Sequence, residues 1–227
     1  HSDINIMINP KAESFIRQGV TTQVFPNCGG GYFPLNDTMK EEMRRSRPAF
    51  LEAGLDFDWS TCEEYLQRIE KIGTAINVAP LIAFGTVRRY VMGWEMRAPT
   101  AEELEAMKAE VEKAMRAGAF GLTTGLRYVP QSWSKTDEVI ELAKVSAKYG
   151  GFYTSHVRDE GDRVEPVGAI RELIEIAEKA DLPANISHFK IIAKPFWDKI
   201  DEMLELIEDA RARGLDITAD QYPYHAS

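Results

Sequence analysis

The sequence predicts an α/β fold in which parallel strands are covered by helices. Two observations carry that expectation. Helical and strand-like patterns alternate along almost all of the 227 residues, which is how parallel strands are joined. No Gly-x-Gly-x-x-Gly stretch follows a strand-like run, which removes the commonest reason to choose a doubly wound sheet over a barrel.

The elements follow in chain order. Asn9 to Gln18 reads as a short helix stopped by Gly19, and the β-branched, apolar Val20 to Phe25 as a strand. Gly29–Gly31 and the segment from Tyr32 to Asp58 read as an extended loop with a helical piece, and long loops in compact domains are often functional. Ser60 to Ile72 is helical, with Ser60 as cap and Glu63 three residues later. Asn77 to Phe84 is the next strand. Thr100 and Glu103 form a second capping box, opening a helix that runs to about Ala117 and stops at Gly118. The remaining strands are Ala119–Leu126, Phe152–Val157, Ala184–Phe189 and Leu215–Ala219. Helices at Thr136–Tyr149, Val167–Lys179 and Phe196–Arg213 lie between them.

Composition narrows the function classes. The chain is 44% hydrophobic and 28% charged, ordinary for a globular protein. Net charge is −9 and no dense Lys/Arg cluster occurs, so nucleic acid is not an expected partner. No run of about 18 or more apolar residues is present, so no membrane partner is expected, and no signal-peptide pattern is visible. Two cysteines, Cys28 and Cys62, make no disulfide framework, which fits a reducing compartment, the cytoplasm.

Three residues concentrate the chemistry. Cys28, His156 and His188 each close a short strand-like run, and in an α/β barrel such ends converge on one mouth. Imidazole and thiolate meeting there make a zinc site. Read alone, each histidine is more often a hydrogen-bonded structural residue and Cys28 a small buried apolar group; two histidines at matching strand ends make the metal reading an even one. No CxxC or HExxH pattern decides between the readings. Cys62 reads as inert core, and His225 has no evident partner. Asp220, Tyr222 and Tyr224 follow the last strand and could face the same mouth, the tyrosines otherwise packing as aromatics. Lys190 lies two residues beyond His188, on the same side in strand geometry, where it could bind a substrate carboxylate. Arg158 could fork a carboxylate; as part of Arg158-Asp159-Glu160 it reads equally as a solvated loop.

Five motifs together resemble the N-acyl-D-amino-acid deacylases (D-aminoacylases) of the amidohydrolase superfamily. They are Gly19–Gly29, Gly118–Tyr128, Ser155–Glu160, Ile186–Lys190 and Asp220–Tyr224, in family order and spread over nearly the whole chain. The resemblance implies a metal-dependent (β/α)8 TIM-type barrel and zinc-dependent hydrolysis of N-acyl-D-amino acids to a carboxylate and a D-amino acid. It implies Cys28, His156 and His188 as zinc ligands, with His1 as the second histidine of a His-x-His pair. It assigns Lys190 and Tyr222 to the substrate carboxylate, followed by Arg158 and Tyr128.

Three departures stand out. The first histidine of His-x-His and the strand with the family's acid/base aspartate are absent, and Phe84 stands where many relatives carry histidine. The expectation is therefore an incomplete barrel over residues 1–227, its first and last strands missing or truncated and its small flanking β-domain absent. Such a fragment alone is expected to be inactive, with exposed strand edges. The competing enzyme reading, a hydantoinase- or dihydroorotase-like cyclic amidohydrolase, usually needs a carbamylated lysine on the fourth strand. Phe120–Gly125 has none.

Overall fold

The computed structural model of the protein describes residues 4–224. Its strands are β1 (Thr22–Phe25), β2 (Asn77–Pro80), β3 (Ile82–Ala83), β4 (Gly121–Gly125), β5 (Phe152–His156), β6 (Ala184–Ile186) and β7 (Ile217–Ala219). Every pair is parallel, in a two-stranded sheet β1-β2 and a five-stranded sheet β3-β4-β5-β6-β7. The six expected strands are all present, the second one divided. Its break is at Leu81, whose amide donates to Phe25 at 2.6 Å while Pro80 accepts from Phe120 at 2.8 Å. Phe84 does not end that strand; it opens a helix.

The helices are α1 (Asn5–Ile8), α2 (Glu13–Ile16), α3 (Asp37–Ser46), α4 (Pro48–Glu52), α5 (Cys62–Ile72), α6 (Phe84–Met92), α7 (Ala101–Arg116), α8 (Thr136–Ala147), α9 (Pro166–Ala180) and α10 (Ile200–Ala212). The expected helix at Asn9–Gln18 contracts to α2, because Ala12 takes a left-handed φ of 45° just before it. The segment Tyr32–Asp58, expected as an extended loop with one helical piece, carries two helices. Asn36 caps α3 by accepting from the Met39 amide at 2.9 Å, and Pro48 starts α4. The box at α5 is Thr61 with Glu64, one residue later than expected. The Thr100–Glu103 box at α7 is as expected, its two bonds 3.2 and 2.8 Å long.

Packing explains the arrangement. β4 is buried at all five positions, as a strand covered on both faces must be. Ile170, Leu173, Ile174 and Ala177 form the buried stripe of α9 at helical spacing. Polar side chains inside the sheet bond one another: Thr124 Oγ1 lies 2.7 Å from Tyr153 Oη and 2.8 Å from Ser155 Oγ. Arg88 is fully buried and ties α6 to α8 through Glu138 at 3.1 Å. Its other nitrogens donate to the carbonyls of Glu95 and Arg97 at 3.1 and 2.5 Å, so the buried charge is well surrounded. Among the described residues no helix is long and apolar enough to cross a membrane. Because every strand runs the same way, their carboxyl ends share one edge, where the three candidate ligands stand.

Candidate metal centre

Each ligand is placed by a different strand. His156 ends β5, His188 follows β6 by two residues, and Cys28 follows β1 by three. The last two occupy left-handed backbone, with φ 59° at Cys28 and 42° at His188, a conformation that local bonds must hold. Buried Gln131 holds Cys28: its Nε2 donates to the Cys28 carbonyl at 3.1 Å, and its Oε1 accepts from the Gly125 amide at 2.7 Å. There is no room for side chains around this splint. A Cβ on Gly29 would stand 1.9 Å from Gln131 Oε1, and one on Gly125 would stand 2.2 Å from the Cys28 carbonyl oxygen. Asp220 holds His188, accepting its amide at 2.6 Å, and is itself held by Asn185 at 2.8 Å.

The three side chains converge. Cys28 Sγ is 3.5 Å from His156 Nδ1 and 3.6 Å from His188 Nε2, and the three donor atoms lie within 4.8 Å of one another. Zinc bonds of about 2.3 Å to sulfur and 2.0–2.1 Å to nitrogen, at tetrahedral angles, separate S and N ligands by about 3.5 Å. The cluster therefore has the dimensions and the soft-plus-imidazole donor set that zinc takes.

Behind the ligands sits Glu160. Its Oε1 is 3.0 Å from His188 Nδ1 and its Oε2 is 3.6 Å from His156 Nε2. One carboxylate thus faces the far nitrogen of both imidazoles, the arrangement that orients metal-binding histidines. His156 Nε2 is buried without a hydrogen bond. Lys190 Nζ donates to Glu160 Oε1 at 2.5 Å. Burial works to raise the Glu160 pKa, but the bonds from His188 and Lys190 outweigh it and hold the carboxyl below its usual range.

Burial pushes the Cys28 thiol up to about 12 and the His156 imidazole, despite Glu160, down to about 4. At neutral pH His156 is thus an uncharged ligand, while Cys28 must release a proton on binding metal. A stability consequence follows for the metal-free protein. His156 binds its proton near pH 6.5 when unfolded and near 4 when folded. The unfolded state therefore holds more protons in that window, and stability falls as pH falls through it. The expected loss from pH 7 to 4 is roughly 3 kcal/mol, and His156→Gln should flatten this slope in urea titrations at successive pH values.

The other candidates divide. Tyr128 Oη is 3.3 Å from His156 Nδ1, which puts it at the cluster. Lys190 is there too, its Nζ 5.6 Å from the centroid of the Tyr222 ring. Tyr224 stacks on Tyr222 at 6.4 Å and is exposed. Arg158 is not brought there. Its Nε and Nη2 each donate to Glu172 at 2.8 Å and its Nη1 donates to the Ser132 carbonyl at 3.3 Å, so its fork is occupied. Nor is Arg158–Glu160 a solvated loop, since Asp159 and Glu160 are buried. Asp159 folds the turn by accepting from the amides of Gly161, Asp162 and Val164. His1 and His225 lie outside the described residues. Cys62 is buried in α5, as expected. The sequence alone gives no role to Glu160, named only within its charged run and motif, or to Gln131; the one available signal is an acid four residues after a candidate ligand.

The chain is similar to known proteins along its whole length. The D-aminoacylase of Alcaligenes xylosoxydans xylosoxydans is 35% identical over 229 residues, covering 100% of this chain and 45% of that protein. The N-acyl-D-aspartate deacylase of the same organism is 33% identical over 231 residues, covering 100% and 44%. Over its whole length the chain is similar to N-acyl-D-amino-acid deacylases. It spans about half the length of these curated relatives. A crystal structure of D-aminoacylase, described as defining a novel subset of amidohydrolases, matches at TM-score 0.83 and 33% identity, covering 99% of this chain and 46% of that one. The N-acyl-D-glutamate deacylase of Bordetella bronchiseptica, solved with zinc and a phosphonate mimic of the tetrahedral intermediate, matches at TM-score 0.85 and 30% identity, with 99% and 46% covered. No protein-family model matches the chain.

Proposed function

We propose that this protein is a zinc-dependent amidohydrolase that cleaves N-acyl-D-amino acids to a carboxylate and a D-amino acid. The observation that carries this reading is the buried Cys28–His156–His188 cluster with S···N separations of 3.5 and 3.6 Å. The whole-length relation to D-aminoacylase supports it, as does the zinc-bound deacylase of like fold. Zinc held there would polarise the scissile carbonyl and make water a better nucleophile.

The chain's own residues supply the rest. Cys28, His156 and His188 hold the ion, and Glu160 fixes the direction of both imidazoles. Glu160 is committed to those rings and to Lys190, so it is a positioning residue rather than a proton carrier. Lys190 and Tyr222 take the substrate's α-carboxylate at the β6–β7 end, while Tyr128 borders the other end. On this reading the parallel strands are an arc of a (β/α)8 TIM-type barrel, whose sites lie at the carboxyl ends of the strands. Two free cysteines suit a reducing compartment such as the cytoplasm.

Zinc analysis of the purified full-length protein, combined with assays on N-acetyl-D-leucine, its L-enantiomer and a hydantoin, tests the proposal. Bound zinc, hydrolysis of the D-substrate and loss of activity to a chelator are expected. Hydantoin cleavage without linear amide cleavage would favour the cyclic amidohydrolase instead, and a zinc-free protein that still hydrolyses the D-amide would end the metal reading.

A further inference from the structure

A cavity of about 410 Å³ opens beside Cys28, and it carries charge that the metal cluster does not use. Cys28 and Tyr128 form its inner wall. Its outer end is made by Met43, Arg47, Arg89 and Trp94, which also line a recess farther out. No aspartate or glutamate lines the cavity, although the chain has 36 acidic residues against 27 basic ones.

Two arginines line the outer end, in different states. Arg89 is engaged, paired with Glu42 and lying 4.3 Å from the Trp94 ring centroid. Arg47 has its guanidinium carbon 5.6 Å from the Tyr32 ring and 5.7 Å from the Phe50 ring. Its backbone bonds Met43 and Phe50, but among the described residues its side chain makes no hydrogen bond or ion pair. A guanidinium resting on aromatic rings keeps its edge N–H groups available for bidentate contact with a carboxylate.

The order of side chains across the cluster says which part of a substrate would enter. Tyr128, His156, His188 and Lys190 stand in a row: Tyr128 and His156 rings are 4.7 Å apart, His156 and His188 rings 4.3 Å, and Lys190 Nζ is 3.2 Å from His188 Nδ1. The cavity adjoins the Tyr128 end, and Lys190 and Tyr222 do not line it. An N-acyl amino acid with its α-carboxylate at Lys190 and its scissile carbonyl at the metal ligands would direct its acyl chain toward the cavity. An acetyl group would leave most of that space unfilled.

We infer that this cavity is an acyl subsite selecting acyl groups that end in a carboxylate, with Arg47 as the specificity-determining residue; the inference rests on the amide-hydrolase reading above. The substrate class is the half-amide of a dicarboxylic acid with a D-amino acid.

The test compares kcat/KM for N-succinyl-D-leucine and N-butanoyl-D-leucine, which share a four-carbon acyl chain, in the full-length protein, unmodified and with Arg47→Gln or Arg45→Gln. Arg45 is exposed on α3 and does not line the cavity, so its variant controls for net charge. A charged hydrogen-bonded pair should favour the succinyl substrate by about ten- to a hundredfold. Arg47→Gln should abolish that ratio and Arg45→Gln should keep it. A ratio of one in the unmodified protein, or the same change in both variants, overturns the inference. So does an Arg47→Gln protein that keeps the succinyl ratio but discriminates less well between N-acetyl-D-glutamate and N-acetyl-D-leucine, because the cavity would then hold the amino-acid side chain. If no substrate turns over, the hydrolase reading fails, and calorimetric binding of the two intact leucine derivatives reads the same ratio for the cavity.

Discussion

Cys28→Ala should strip the protein of most of its zinc affinity while Cys62→Ala leaves zinc binding in place. The two thiols are chemically alike but placed differently. Both are buried, and burial pushes each up to about 12. Only Cys28 has two imidazole nitrogens within 3.6 Å. Zinc sites of four ligands bind with about 10–16 kcal/mol at neutral pH, so one ligand contributes roughly 3–4 kcal/mol, a factor of about 10²–10³ in affinity. Competition against a chromogenic chelator reads that factor directly. Equal zinc affinity in Cys28→Ala and the unmodified protein would refute the site.

The second large effect is expected at Glu160. Its carboxylate meets His156, His188 and Lys190 at once. Glu160→Ala removes the partner of all three and leaves the lysine charge, whose side chain is 17% exposed, without its counter-ion. Removing one member of a buried pair costs about 3–5 kcal/mol, and losing the group that orients metal-binding histidines costs about 10–100-fold in affinity. Urea unfolding reads the first effect and zinc competition the second. Glu160→Gln retains one oxygen acceptor and should fall between Glu160→Ala and the unmodified protein in both. Zinc affinity unchanged in Glu160→Ala would show that the imidazoles are oriented by their backbones alone.

Much of this site was legible in the sequence because strand ends are local features. His156 and His188 close runs whose β-like character is plain, and parallel connection brings such ends to one edge. Cys28 was readable for the same reason, helped by the glycines that follow it. Other features depend on what the fold brings together. Glu160 sits in an acidic run that reads as solvated until Lys190, thirty residues on, meets it. Arg158 looks like a free fork until α9 supplies Glu172. The segment from Tyr32 to Asp58 shows only one helical piece in the sequence, where the fold has two helices, because α3 puts just Met39 and Met43 on the core and α4 buries nothing. At α5 both Ser60/Glu63 and Thr61/Glu64 match a capping box; the extended backbone of Thr61, φ −106° and ψ 165°, selects the second.

The division into two sheets has a consequence for the ligands. Cys28 extends from the β1–β2 pair, whereas His156 and His188 belong to the five-stranded sheet. Near this edge the Gly85 amide donates to the Gly29 carbonyl at 2.9 Å, and Gln131 joins Cys28 to Gly125. An ion held by all three side chains would be a cross-link between residues 128 and 160 positions apart in the chain. Closing loops of that length removes about as much chain entropy as a long-range disulfide, on the order of 5 kcal/mol. The metal would then act as a topological staple, making the ion that serves the chemistry also a structural clasp between the two sheets.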